Sequence, residues 1–263
     1  MEPSVKLLLS QPLPTDGALT EAFDHAAHCL SVAAAAGARL VLLPELFLPG
    51  YNRPDLHAAL AQPLEGGWIG RLREMAAAHG VGLVLGWAER EGAALFNAAV
   101  AIAPDGAIAA QYRKIQLFGA MERAVFTPGA APAPVFALEG RRFGLLICYD
   151  IEFAAHAADL ARRGAEVILV PTANPAGFEH VQDVLVPARA HEGAQVIAYA
   201  NYSGAEAGLQ FGGRSLIVGP DARPLAAAGA RPAILIVDLP ERADYPAALL
   251  STQAQDLRDP GAR

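Results

Sequence analysis

Short apolar blocks alternate along the chain with longer stretches in which apolar positions recur every three or four residues. VKLLLSQ (5–11), ARLVLLPEL (38–46), VGLVLGWAE (81–89), LFNAAVAIAPDG (95–106) and IAAQYRKI (108–115) read as strands. Gly37 and Pro49 bound the second of them, and PDG at 104–106 is a turn between two others. RRFGLLICYD (141–150), VILVPTA (167–173), QVIAYANYS (195–203), RSLIVGPD (214–221) and AILIVDL (233–239) continue the series. Helices are predicted over 17–36, over 68–79 with a stop at Gly80, and over 153–163. Alternation of helices and strands, with hairpins between some strands, implies a mixed sheet or two sheets flanked by helices. No linker or composition break divides the chain, so one domain is expected over 1–263, with its core at about 5–239 and a polar tail at 241–263.

Composition narrows the function classes. The 263 residues are 53% apolar and 18% charged, which excludes a disordered chain. The formal charge is −7 and Lys and Arg form no blocks, so neither nucleic acid nor an anionic membrane is an expected partner. No apolar run reaches the roughly 18 residues of a spanning helix, and the N-terminal segment does not read as a signal peptide. The two cysteines, Cys29 and Cys148, form no disulfide framework or CxxC pair, and a reducing cytoplasm is the expected compartment. The seven histidines show no HExxH or other metal spacing, so no metal and no cofactor is expected.

Three strand ends carry polar groups that a plain core does not need: Glu45 after LVLLP, Lys114 after IAAQYR, and Cys148 after GLLI. Function gathers at such ends in α/β proteins. A thiol is mostly protonated at neutral pH and needs a base to become a nucleophile. A carboxylate in a partly dry site supplies one, and an ammonium stabilises the oxyanion of acyl transfer. Glu, Lys and Cys together suffice for covalent acyl transfer. Read singly, Cys148 is also a packed sulfur, Glu45 a helix N-terminal acid and Lys114 a solvated charge. Spacing alone leaves both readings open.

LLPELFLPGY (42–51), YRKIQLFG (112–119) and GLLICYDIEF (144–153) resemble, in order and spacing, the three signature segments of the nitrilase superfamily of carbon–nitrogen hydrolases. AEVILVPTA, PARAHE and GGRSLIVGPDAR extend the resemblance over roughly 5–239. It implies a four-layer α-β-β-α sandwich. It also implies Glu45 as general base, Lys114 as transition-state stabiliser and Cys148 as nucleophile. A second glutamate follows the lysine in that family, and Glu122 stands there. The Tyr149 backbone N–H and Lys114 are the implied oxyanion hole. A homodimer or higher homo-oligomer is implied, packed through the helices that follow Cys148 and PTAN; the Ala-rich FAAHAADLARRG suits such close approach.

Cys148-Tyr149-Asp150 looks like the amidase branch. CYDIEF, PTAN, ANYSGAE and LFLPGYN resemble the 5-aminovaleramidase type, which cleaves 5-aminopentanamide. An ω-amino amide is therefore the expected substrate, with Tyr51, Glu152, Asn174 and Glu179 as substrate-binding residues. Glu152 is the candidate partner for a remote cation, with Glu206 and Asp183 as further acids. Glu152 also reads as an acid at a helix N-terminus. Gln116 and Gly193 depart from the residues the resemblance leads one to expect. Rival readings are an N-carbamoyl amine hydrolase, an ω-amidase, and a non-catalytic interaction scaffold.

Overall fold

The computed structural model describes residues 5–256 and 258. The chain begins with β1 (Lys6–Gln11), α1 (Leu19–Ala35), β2 (Leu40–Leu42), α2 (Pro54–Leu60) and α3 (Gly67–His79). There follow β3 (Gly82–Glu91), β4 (Ala94–Ile102), β5 (Ile108–Arg113), α4 (Gly119–Val125), β6 (Val135–Leu138) and β7 (Arg141–Leu145). Next come α5 (Ala154–Arg162), β8 (Val167–Pro171), α6 (Val186–Gly193) and β9 (Val196–Ala200). The last elements are β10 (Ala205–Glu206), β11 (Leu209–Gln210), β12 (Leu216–Val218), β13 (Pro224–Ala227), β14 (Ala233–Asp238) and α7 (Gln253–Asp256).

Two six-stranded sheets result, in the orders β14-β1-β2-β3-β4-β5 and β13-β12-β9-β8-β7-β6. Both are parallel only at their centres, across β1-β2-β3 and β7-β8-β9, and antiparallel elsewhere. Side-chain alternation sorts the first sheet into two faces. Leu7, Leu9, Leu40, Leu42 and Val84 enter the core shared with β7 and β8. Their neighbours Leu8, Val41, Leu43, Leu83 and Leu85 pack with α1 and α3. Because both faces are covered, these strands read as continuous apolar runs. Each fully buried leucine contributes roughly 1.5–3 kcal/mol. With α5 and α6 packed together and α6 on β9, the layers run helix, sheet, sheet, helix. This is the expected α-β-β-α sandwich.

The differences from expectation have local causes. The ladder in 38–46 covers only Leu40–Leu42, because Pro44 has no N–H and Leu46 adopts φ 44°. The strand toward Cys148 ends at Leu145, where the chain begins to turn. The sequence reading missed α2, α4, β6, β13 and the β10–β11 ribbon, all too short for a clear period. Part of the expected tail is helical: α7 packs against α6. Residues 257 and 259–263 of that tail lie outside the described residues. Among the described residues no helix is long and apolar enough to cross a membrane.

Candidate active site

The ends of β2, β5, β7 and β8 meet at one end of the two sheets. Glu45 lies three residues beyond β2, and Gly86 on β3 makes room for it. A Cβ on Gly86 would come 2.7 Å from the Glu45 Cα and 2.4 Å from the Leu46 nitrogen. Pro44 O accepts the Gly86 N–H at 3.0 Å, so the loop lies directly on the strand. Lys114 follows β5, and Asn97 O accepts its N–H at 2.8 Å. Cys148 opens a 3-10 helix over Cys148–Glu152 with φ 43°. That left-handed conformation costs a non-glycine residue of order 1–3 kcal/mol.

Asp150 holds this strained turn. Its carboxylate accepts the Ile147 N–H at 3.3 Å, the Tyr112 hydroxyl at 3.0 Å and the Gln116 N–H at 2.9 Å. One buried acid therefore ties the turn to the end of β5 and to the segment after Lys114. The sequence reading used Asp150 only as a mark of the amidase branch.

The side chains of Glu45, Lys114 and Glu122 are wholly buried and bonded to one another. The Lys114 ammonium donates to Glu45 Oε1 at 2.6 Å and to Glu122 Oε1 at 2.8 Å. Glu122 also accepts the Tyr51 hydroxyl at 2.8 Å and the Phe118 N–H at 3.0 Å. Glu45 Oε1 accepts a second bond from Asn97 Nδ2 at 2.7 Å, while Glu45 Oε2 is buried with no hydrogen-bond partner among the described residues.

Burial raises the Glu45 carboxyl to about 7 against the pull of Lys114. Burial opposes the Lys114 charge, but Glu122 and Glu45 outweigh it and hold the ammonium well above its ordinary range. Burial and the Glu45 charge push the Cys148 thiol up; Lys114, the Thr172 side chain and the Ala173 backbone favour the thiolate. The resting thiol is thus protonated, beside a carboxylate with one bare oxygen. Such a set can take a proton from sulfur and hold a cation near a developing oxyanion.

A family model described as carbon-nitrogen hydrolase matches residues 9–244. The chain belongs to that family. As a carbon–nitrogen hydrolase, it is an enzyme acting on C–N bonds. A hydrolase of the pqqF 5' region of Pseudomonas protegens is 41% identical over 204 residues, covering 77% of this chain and 72% of that protein. An (R)-stereoselective amidase of Pseudomonas sp. is 38% identical, covering 72% and 69% of the two chains. Among solved structures, an amidase from Nesterenkonia sp. AN1 in complex with acrylamide, as a double mutant, superposes with TM-score 0.88. It is 35% identical, and the match covers 97% of this chain and 94% of that one. Another form of that amidase, at TM-score 0.88 and 36% identity, carries the acetamide moiety of fluoroacetamide on its active-site cysteine. That match covers 98% of this hydrolase and 95% of the amidase chain.

The other sequence-predicted residues of the hydrolase divide into two groups. Tyr51 is buried in the cluster through Glu122. Tyr149 packs edge-on against Phe118 and Phe153, with centroids 5.2 and 4.9 Å away, and Phe178 extends the row from Phe118. Glu152 is half-buried; burial raises its carboxyl, with His180 and Lys114 opposing. Its backbone carbonyl accepts Arg189, while among the described residues no hydrogen bond or ion pair engages its carboxylate. Asn174 and Glu179 make hydrogen bonds within the loop after β8. Asn174 Nδ2 donates to Phe178 O and Gln182 Oε1, and Glu179 accepts the Gly177 N–H. Asp183 pairs with Arg214, and Glu206 accepts the Asn52 N–H at 2.6 Å. Sequence reasoning missed Asn97, Asp150 and Thr172; only the polar Asn97 inside an apolar strand gave a signal. Among the described residues no group of three His, Cys, Asp or Glu side chains could hold a metal.

Proposed function

We propose that this hydrolase is a thiol amidohydrolase that cleaves a small aliphatic amide, an ω-amino amide such as 5-aminopentanamide, to an acid and ammonia. The observation that carries it is the buried Glu45–Lys114 pair, with the bare Glu45 Oε2, in the electrostatic reach of Cys148. Cys148 Sγ attacks the amide carbonyl carbon, and its proton passes to Glu45. The oxyanion is held by the Tyr149 N–H and by Lys114. A lysine has three donors; Glu45 and Glu122 take two, which leaves one for the substrate oxygen. As the tetrahedral adduct collapses, the C–N bond breaks and the nitrogen takes the proton from Glu45, leaving as ammonia. Water then adds to the thioester, giving its proton to Glu45, and the second collapse returns that proton to the departing sulfur. The acetamide adduct on the cysteine of the Nesterenkonia amidase supports the covalent step. Glu122 orients Lys114 rather than transferring protons, since both its oxygens accept hydrogen bonds.

The unpaired, half-buried Glu152 supports a substrate with a remote ammonium. Tyr51 acts through Glu122, and Asn174 and Glu179 shape the loop beside the aromatic row. Two sandwiches associate through α5 and α6; Ala154, Ala155, Ala158 and Ala161 of α5 line a groove of about 260 Å³ with Arg189 of α6. A cytoplasmic location accords with two unpaired thiols. The test is ammonia release from ω-amino amides, dicarboxylic monoamides, carbamoyl amines and nitriles. The ω-amino amides should turn over fastest, without carbon dioxide, and Cys148→Ala should release none. Ammonia release retained by Cys148→Ala would end the nucleophile assignment.

A further inference from the structure

We propose that Asn97 is a positioning residue that fixes the orientation of the Glu45 carboxylate through both halves of the proton shuttle. The inference rests on Glu45 being the general base. Asn97 is 1% exposed and sits on β4, where it pairs with Ala88, beside the Ala98–Arg113 pair. It touches both partners of the buried ion pair. Its backbone carbonyl accepts the Lys114 N–H at 2.8 Å. Its Nδ2 donates to Glu45 Oε1 at 2.7 Å, the same oxygen that Lys114 Nζ reaches at 2.6 Å.

Two donors on Oε1 and none on Oε2 give the carboxylate two unlike oxygens. Rotation of the group would break both bonds, so Oε2 remains the oxygen offered to a proton. The two donors respond differently to the reaction. When Glu45 takes the sulfur proton it becomes neutral, and its attraction for the ammonium falls as Lys114 is drawn to the oxyanion. A neutral carboxyl still accepts at its carbonyl oxygen. The hydrogen bond donated by Asn97 Nδ2 therefore survives protonation, and the new O–H on Oε2 stays aimed at the leaving nitrogen. The titratable groups facing Glu45 are Lys114, Glu122, Cys148, Tyr51 and Tyr199, with the Tyr202 hydroxyl on its backbone carbonyl. Of these, only Lys114 shares Oε1 with Asn97. Hydrogen bonding by Asn97 also favours the ionised carboxylate.

The test compares Asn97→Leu, of similar size but without a donor, with the unaltered enzyme in ammonia release from an amide substrate across pH. Loss of a bond to a charged group predicts a drop of roughly 10- to 100-fold in kcat/KM, carried by kcat. The acid limb should move to higher pH, because the carboxylate loses a stabilising donor. Iodoacetamide labelling of Cys148 should slow in Asn97→Leu, and should slow no further when Asn97→Leu is added to Glu45→Gln. A merely structural asparagine would lower Tm, leave the acid limb in place and give additive losses. That pattern overturns the proposal. If Asn97→Leu does not fold, Asn97→Ser is measured instead, and an unmoved acid limb there has the same meaning. Full activity in Glu45→Gln would remove the base assignment itself. Loss in Glu45→Gln with unaltered behaviour of the Asn97 variants would remove this inference alone.

Discussion

Lys114 donates to Glu122 Oε1 at 2.8 Å, with both side chains wholly buried and only eight residues apart in sequence. The same ammonium reaches Glu45, so one cation is shared by two carboxylates, one on α4 and one in the loop after β2. Removing one member of a buried ionic group leaves its partners uncompensated. Lys114→Met should therefore cost about 3–5 kcal/mol of stability as well as all turnover. Urea unfolding measures it; a stability within error of the unaltered protein would show that the buried charges do not depend on one another.

The pH profile follows from Glu45. Burial raises its carboxyl to about 7, and in the proposed mechanism only the ionised form takes the Cys148 proton. Below that pH Oε2 carries a proton and the base is blocked; above it the base is free. kcat/KM should rise with pH through about 7. An acid limb near the ordinary carboxylate value of 4.5 contradicts this assignment of the base.

Glu152 should decide substrate polarity. A charge-assisted contact of about 1.5–3 kcal/mol corresponds to a preference of roughly 10- to 150-fold for 5-aminopentanamide over pentanamide. Glu152→Gln should remove most of that preference and leave pentanamide turnover near its original rate. Equal kcat/KM for the two amides in the unaltered enzyme sinks the cation site. Equal losses on both in Glu152→Gln would place Glu152 among the residues that build the site.

The two thiols should react unequally. Cys29 is fully buried in α1, near His25 Nε2 at 3.3 Å, and burial raises it to about 11. Cys148 is 6% exposed, and in the proposed mechanism Glu45 takes its proton. Iodoacetamide under native conditions should modify Cys148 first, with inactivation tracking one label per chain by peptide mass. Cys29→Ala should keep most activity. Parallel loss of both thiols would show that Cys148 gains nothing from its surroundings.

The central strands were legible in the sequence because burial on both faces demands unbroken apolar runs, as in KLLLSQ of β1 and VILVP of β8. The end of α3 was legible because Gly80 takes a left-handed conformation at no steric cost. Glu45, Lys114 and Cys148 stood out as polar groups ending apolar strands, and their family pattern supplied candidate roles. What pairs with what lay beyond the sequence, since those contacts join residues 8 to 157 positions apart. Tyr51, expected at the substrate, donates its hydroxyl to Glu122, which no spacing in the sequence announces. The Asn174 amide likewise bonds Gln182, eight residues on. A polar side chain has several possible partners of equal chemistry, and only the packing of the two sheets decides which comes within hydrogen-bond distance. The long central strands and the reactive groups could be read from the residues; the packing of the two sheets set which Glu45 oxygen is held, Oε1, and which is bare, Oε2.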